Sequence, residues 1–245
     1  MKINKTFILI KAITILLALI PIYLCFSSSA ISEADAEEPN NYLERETNKS
    51  TQILLATNYS LLFFTETNVY ALERKDGKWK TVFGPLDAVA GKNGFAPPGE
   101  KREGDGKTPS GIFPLQLTFG YDDIIVTKMP YRQALADDLW IDDVNATDYN
   151  RWVKKMATRA VSYEKMKRSD NLYKYGIVIE YNTNPVIKGY GSAIFFHIWR
   201  GKDVTTEGCV AVSEDNIIRI LEWLDPTARP LIIMGNEYKM ENFLK

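Results

Sequence analysis

Residues 192–213 read SAIFFHIWRGKDVTTEGCVAVS, a stretch that divides into strand, loop and strand. In its first part Ala193, Phe195, His197 and Trp199 fall on one face, with Ile194, Phe196 and Ile198 on the other. Both faces are mostly apolar, as in a buried strand, and His197, the single histidine of the chain, stands among aromatics near its end. In the second part Thr205-Thr206-Glu207-Gly208 has turn chemistry, and Cys209 leads directly into Val210-Ala211-Val212. Gly208 permits a positive φ or a close approach of backbone to substrate. A loop from Arg200 to Glu207 and a return strand would bring imidazole and thiol together. Nucleophile and base are the two parts that cysteine acyl-transfer chemistry needs, and the amides around Cys209 would donate to a developing oxyanion. Taken singly, His197 reads as a hydrogen-bonded core residue and Cys209 as a small buried hydrophobe. Their joint placement around a Thr-x-Gly-Cys turn is what points to a site.

The chain around this stretch is 245 residues long, 45% hydrophobic and 12% aromatic, enough for one large domain plus a targeting segment. A formal net charge of −1 counts against nucleic-acid binding. Residues 1–30 have the pattern of a signal peptide: Lys2, Lys5 and Lys11, an apolar run over 12–26, then Ser27-Ser-Ser-Ala30. The apolar run is shorter than the ~20 residues a membrane span needs; left uncut, residues 7–26 would act as an anchor. Cys25 follows Leu24, where a lipoprotein signal wants a small residue. Residues 31–50 are polar, early acidic and without apolar period, as in a disordered linker. Export is therefore expected. Removal of the signal leaves Cys209 as the sole cysteine, so the expected mature chain has an unpaired, reactive thiol. One His and one Cys cannot fill a structural zinc site, and no metal or other cofactor is expected.

From Ile53 onward the pattern is mainly β. Strands are expected at Ile53–Ala56, Ser60–Phe64, Val69–Glu73 and Trp79–Phe83, with Asp76-Gly77 as a hairpin turn. Residues 91–111, rich in glycine and proline, read as a substrate-facing loop or a long surface connection, and Lys92, Lys101, Arg102 and Lys107 as a solvated basic face. An insert is expected at about 121–170. Its acidic first part (Asp122-Asp123, Asp137-Asp138, Asp142-Asp143) reads as solvated loops without calcium-loop spacing. Its basic second part, Asn150 to Arg168, reads as a helix with Trp152, Met156, Ala160 and Tyr163 as apolar stripe, packed on the acidic part. Tyr175–Tyr181 alternates as a strand. Ser213 caps a helix that runs to about Leu224 and stops at Asp225-Pro226, and Leu231–Met234 is a last buried strand.

The stretch from His197 to Cys209 resembles the signature of the YkuD-type L,D-transpeptidase catalytic domain: a His ending one strand, a loop, and Ser/Thr-x-Gly-Cys opening the next. Similarity extends to Gly91-Lys-Asn-Gly-Phe95 with Lys101–Pro114, to Trp140-Ile-Asp-Asp143 with Tyr149-Asn150 of a branch with an extended central insert, and to Leu224-Asp-Pro-Thr with Pro230–Gly235. It covers roughly residues 51–245. Two positions depart from the common pattern: Glu207 stands where many members have His, and Cys209-Val-Ala replaces Cys-Ile-Arg, removing an arginine that would meet a substrate carboxylate.

The resemblance implies a β-sandwich-like catalytic fold with mixed sheets, one C-terminal helix and a helical insert, spanning 51–245. It implies ping-pong acyl transfer on peptidoglycan stem peptides in the periplasm or cell envelope: His197 takes the Cys209 proton, a thioester forms, and an amine resolves it. The Cys209 amide holds the oxyanion, with Gly208 shaping the turn. A backbone carbonyl, Ile198 or Trp199, orients His197. Thr206, Trp199, Arg200 and Tyr190 are the candidate substrate contacts. Glu207, if close to the sulfur, would disfavour the thiolate. A hydrolase using the same pair, and a non-catalytic cell-wall binding module, are the alternatives. The sequence gives no basis for an oligomeric state.

Overall fold

The structure, a computed structural model, describes residues 45–61, 64–236 and 238, all within one compact unit, Glu38–Lys245. The expected signal segment lies outside the described residues, as does most of the expected linker. The end of that linker is not a spacer: residues 45–47 are helical, Thr47 and Ser50 are buried, and the Arg74 guanidinium donates to the carbonyls of Thr47 and Asn48, both at 3.1 Å.

The fold is mainly β, as expected. In chain order the strands are β1 (Gln52–Leu61), β2 (Phe64–Lys75), β3 (Lys78–Val89), β4 (Phe95–Ala96), β5 (Thr108–Pro109), β6 (Gly111–Gly120), β7 (Tyr131–Gln133), β8 (Asp138–Ile141), β9 (Trp152–Lys154), β10 (Tyr163–Lys165), β11 (Tyr175–Ile179), β12 (Phe195–Ile198), β13 (Val210–Val212) and β14 (Leu231–Met234). The helix α1 (Glu214–Trp223) precedes β14. Ile53–Ala56, Val69–Glu73 and Trp79–Phe83 are pieces of longer strands, β2 and β3 having 12 residues each, whereas the expected strand Ser60–Phe64 spans the reversal from β1 to β2, where Leu61 pairs with Phe64. Asp76 and Gly77 join them with φ of 55° and 76°, the two positive values that a tight hairpin turn requires.

The main sheet is nine-stranded, in the order β11-β12-β13-β3-β2-β1-β14-β6-β7. It closes on itself, because β6 pairs with β14 through Gly111–Pro114 and with β11 through Leu115–Gly120. Pairing is mixed: β1 with β14 and β12 with β13 are parallel, most other neighbours antiparallel. The expected return strand therefore runs the same way as the His strand. Residues 199–209 cross back without a helix, and His197 lies level with Ala211.

Alternation along β12 divides the core as expected. Ile194, Phe196 and Ile198 join Leu54, Val69, Val210, Val212 and the inward residues of α1, Ile217, Ile220 and Leu221. Phe195 faces the opposite side with Phe119, Trp140, Tyr173 and Cys209. The α1 cap is as expected: the Ser213 hydroxyl accepts from Asn216 N–H.

The insert folds differently from expectation. Residues 150–168 form no α-helix; β9, a single 3-10 turn (Lys155–Ala157) and β10 take its place, and β10-β8-β9 make a three-stranded antiparallel sheet. The supposed stripe scatters, with Met156 95% exposed while Trp152 packs on Phe119 and Trp140. Val153, Thr158, Val161 and the aromatic residues favour a pleated surface over a helix. Acidic and basic parts do pack together, but as cross-strand ion pairs: Lys154 lies 2.8 Å from Asp137 and 3.2 Å from Asp138. Asp138 is not a solvated loop residue. It is buried, and although burial opposes ionisation, hydrogen bonds including one from Leu135 N–H hold its carboxyl below the usual range.

Candidate active site

The loop from β12 to β13 sets the turn that leads into Cys209. Thr206 is tied down from below by its N–H to Ala90 O at 2.9 Å and by its carbonyl, which accepts from Lys92 N–H at 2.8 Å. Its hydroxyl donates to Cys209 O at 2.6 Å and accepts from Gly208 N–H at 3.1 Å. Gly208 has φ of +150°, and a Cβ there would meet Lys107 O at 2.9 Å, so the turn requires glycine. The segment 91–111 is the floor of this turn. Thr108 Oγ1 donates to Cys209 O at 3.3 Å and accepts from Gly91 N–H at 2.8 Å. The segment also supplies Lys101, Glu103 and Gly104 to the cavity wall. It is thus neither a mere surface connection nor only a substrate loop.

Parallel pairing puts Cys209 level with Phe195, one rung below His197 on the same face, a step of ~7 Å along the strand. The sulfur sits between two backbone groups: Phe195 N–H donates to Sγ and the thiol donates to Ala193 O, each at 3.3 Å. Ala193 has φ of +52° and its N–H donates to Asn150 Oδ1, so the chain bends at the point where it receives the thiol proton. Asn150 itself accepts from Trp140 Nε1 at 2.7 Å and donates to the carbonyl of Asn182 at 2.6 Å, welding the insert to the His strand.

The His197 Nδ1 atom lies 2.7 Å from Ile198 O. A carbonyl oxygen only accepts, so Nδ1 carries the hydrogen and Nε2 keeps its lone pair. Of the two carbonyls expected to orient the ring, Ile198 does so. The Tyr173 ring stands edge-on to the imidazole, centroids 5.2 Å apart. Burial drives the imidazole pKa down to about 4, and burial pushes the thiol up to about 12. Near neutral pH both groups are therefore uncharged.

Both residues open on a cavity of about 390 Å³. Gly208, Thr206, Trp199 and Arg200 line it, as expected, but Tyr190 does not. The Tyr190 ring is stacked under the Arg102 guanidinium at 4.2 Å, and its carbonyl accepts from the Tyr181 hydroxyl. Glu207 reaches the cavity rim, yet its carboxylate is turned to Lys92 at 2.7 Å and is 77% exposed. The charges that bear most on the thiol are Glu164, which raises its pKa, and Lys101 and Arg168, which lower it. The basic run is likewise not uniformly solvated: Lys101 is 4% exposed and paired with Asp105 at 2.5 Å.

The lining residues missed in the sequence are Glu103, Asp142, Glu164, Arg168 and Tyr173. Arg168 bonds Glu164 at 2.9 Å and Asp170 at 2.8 Å, and Asp170 also holds Arg200 at 3.2 Å. Burial raises the carboxyl pKa of Glu164 and of Asp142. The signal available for Glu164 and Arg168 was weak, since a helix expected to pack on the acidic segment gives no reason to aim these side chains at a thiol.

A closed mixed sheet thus bears a Thr-x-Gly-Cys turn beside a carbonyl-oriented histidine. The family model of the L,D-transpeptidase catalytic domain (YkuD) matches residues 58–233, and the chain belongs to that family. Membership makes it an L,D-transpeptidase-type enzyme with a general peptidoglycan function. No curated protein and no solved structure gives a significant match to the chain.

Proposed function

We propose that the protein is an exported cysteine acyltransferase that acts on peptidoglycan stem peptides, with Cys209 as nucleophile and His197 as general base. The observation that carries this reading is the His197 ring fixed by Ile198 O, its free Nε2 on the same face and cavity as the Cys209 thiol. The thiol donates to Ala193 O. Substrate entry displaces that contact, Nε2 takes the proton as Sγ attacks the peptide carbonyl, and the imidazolium returns it to the leaving amine. The thioester is then resolved by a second amine. With Gly208 N–H taken by Thr206 Oγ1, the turn offers the oxyanion the Cys209 N–H. Thr206, Trp199 and Arg200 contact the substrate at the rim. Residues 1–30 direct export as a cleaved signal, or as an anchor through 7–26, to the periplasm or cell envelope.

The test is mass spectrometry of the full chain with tetrapeptide muropeptides and cross-linked sacculus fragments, beside Cys209→Ala. The expected result is a Cys209-dependent cross-linked dimer or an exchanged terminal residue. Cys209-dependent loss of cross-links alone would mean that water is the acceptor. No change and no adduct at Cys209 would overturn the enzymatic reading.

A further inference from the structure

The outer side of the insert exposes what a protein surface normally buries. Strands β9 and β10 lie on opposite edges of β8, each antiparallel to it. They therefore run parallel to each other, and the connection 155–162, KMATRAVS, has to cross one face of the small sheet. Trp140, Trp152 and Glu164 are cross-strand partners on one face. Trp140 and Trp152 pack into the aromatic core and Glu164 lines the cavity. The connection thus crosses the other face, over Leu139 and Ile141, which are buried.

This strap aims its larger apolar side chains outward. Thr158 and Ala160 are half-buried, whereas Met156 is 95% exposed and Val161 88% exposed. It is held that way at both ends: Lys155 N–H donates to Asp137 O at 2.8 Å, and Val161 N–H to Asp143 Oδ2 at 3.0 Å. A single exposed apolar side chain is ordinary. Here two stand on one short, fixed segment and alternate with cations. Residues 151–167 hold six lysines and arginines against one carboxylate, in a chain of net charge −1. That carboxylate, Glu164, belongs to the cavity wall and is bonded to Arg168. Lys154 is taken by Asp137 and Asp138. The side chains of Lys155, Arg159 and Lys165 are exposed and enter no hydrogen bond or ion pair among the described residues. On the same face as the strap, Tyr163 and Lys165 stand opposite Ile141 and Leu139, both of them exposed.

Cations alone would suit any polyanion. Met156 and Val161 gain only from a partner that takes them out of water, and Tyr163 has the apolar body and polar tip that suit a boundary between the two. A bilayer with anionic headgroups offers a charged plane and an acyl boundary together. We propose that the outer face of the insert docks on an anionic lipid bilayer, with Met156 and Val161 between the headgroups and Lys155, Arg159 and Lys165 against their phosphates. The insert is then two-sided: β10 turns Glu164 to the cavity and Lys165 to the lipid.

The experiment is hydrogen exchange of residues 155–162 in the full chain, with vesicles of phosphatidylcholine alone and of phosphatidylcholine mixed with phosphatidylglycerol. Wild type is compared with Lys155→Ser plus Arg159→Ser and with Met156→Ser plus Val161→Ser. Reading one segment keeps insertion of residues 7–26 from passing for docking, and no turnover is needed, so the result is independent of the enzymatic reading. The substituted side chains are all exposed, and unchanged exchange of β1 and β14 checks that each variant keeps the sheet. The expected result is exchange slowed ~10-fold or more by the phosphatidylglycerol vesicles, unaffected by phosphatidylcholine alone, and restored by high salt. Each pair of substitutions removes most of that slowing, the loss of two cations weakening docking ~30-fold. If either variant fails to fold, the wild-type comparison of the two vesicles decides alone. Absence of slowing overturns the proposal, and so does equal slowing by both vesicles. Equal slowing by soluble polyglutamate, kept when Met156 and Val161 are replaced, overturns it in favour of an anionic polymer. Slowing that grows with protein concentration and needs no vesicles overturns it in favour of a second copy of the chain.

Discussion

Glu207 Oε2 lies 2.7 Å from Lys92 Nζ, and this ion pair holds the carboxylate at the surface instead of over the Cys209 thiol. The carboxylate that bears on the sulfur is Glu164, from the insert. Two glutamates near one thiol thus have opposite consequences. Glu207→Gln is expected to leave the pH profile of Cys209 alkylation within about twofold of wild type, as an exposed pair contributes ~0–1 kcal/mol. Glu164→Gln is expected to shift that profile to lower pH, because a nearby negative charge is removed. Alkylation rates between pH 6 and 10 decide both.

Gly208→Ala tests the turn. The required φ of +150° and the contact with Lys107 O at 2.9 Å leave no room for a Cβ. The expected cost is ~1–3 kcal/mol in urea unfolding, with turnover lost by more than the stability change alone explains, since the neighbour that moves is Cys209.

Asn150 joins the insert to the site through four hydrogen bonds, to Trp140, Ala193, Tyr181 and Asn182. Asn150→Ala strands buried partners on each side and should destabilise by ~2–4 kcal/mol. Ala193 O receives the Cys209 thiol proton, so the same variant should also change the alkylation rate measured under conditions where the protein remains folded.

Stability should have a plateau bounded by the two site residues. The His197 pKa falls from 6.5 to about 4 on folding, so the unfolded chain binds a proton first as pH drops, and stability declines from pH 6.5 toward 4. The Cys209 pKa rises from 9.0 to about 12, so the unfolded chain loses its proton first and stability declines from pH 9 toward 12. Each limb amounts to ~3–4 kcal/mol in full. Urea midpoints across pH check it: Cys209→Ala should lose the alkaline limb assigned to the thiol and keep the acid one.

The strand of His197 and the strand after Cys209 were legible in the sequence because alternation and a Gly-containing turn are local signals. So were the Asp76-Gly77 hairpin and the Ser213 cap. The direction of β13 was not, since a loop of that length serves either a hairpin or a crossover, and the choice is made by the edges of β3 and β12 that β13 must fill. The insert misled for a physical reason: Trp152, Met156, Ala160 and Tyr163 fall at helical spacing, but β8 offers an unsatisfied edge on either side, and sheet pairing outweighed the weak periodicity. Tyr173 escaped notice because nothing local in the sequence sets its ring against Phe195 and His197; only the folded chain does.

The pairing of β1 and β6 with β14 has a consequence for how the chain is made. Residues 53–56 and 111–114 are joined only through 231–234, near the end of the sequence. Until that last strand is available, two long edges with open N–H and C=O groups stay exposed, the kind of surface that recruits other chains. A chain that lacks residues 231–234 would therefore be a sticky, unzipped ribbon, and its solubility hinges on β14 being in place before a neighbour's strand takes that position.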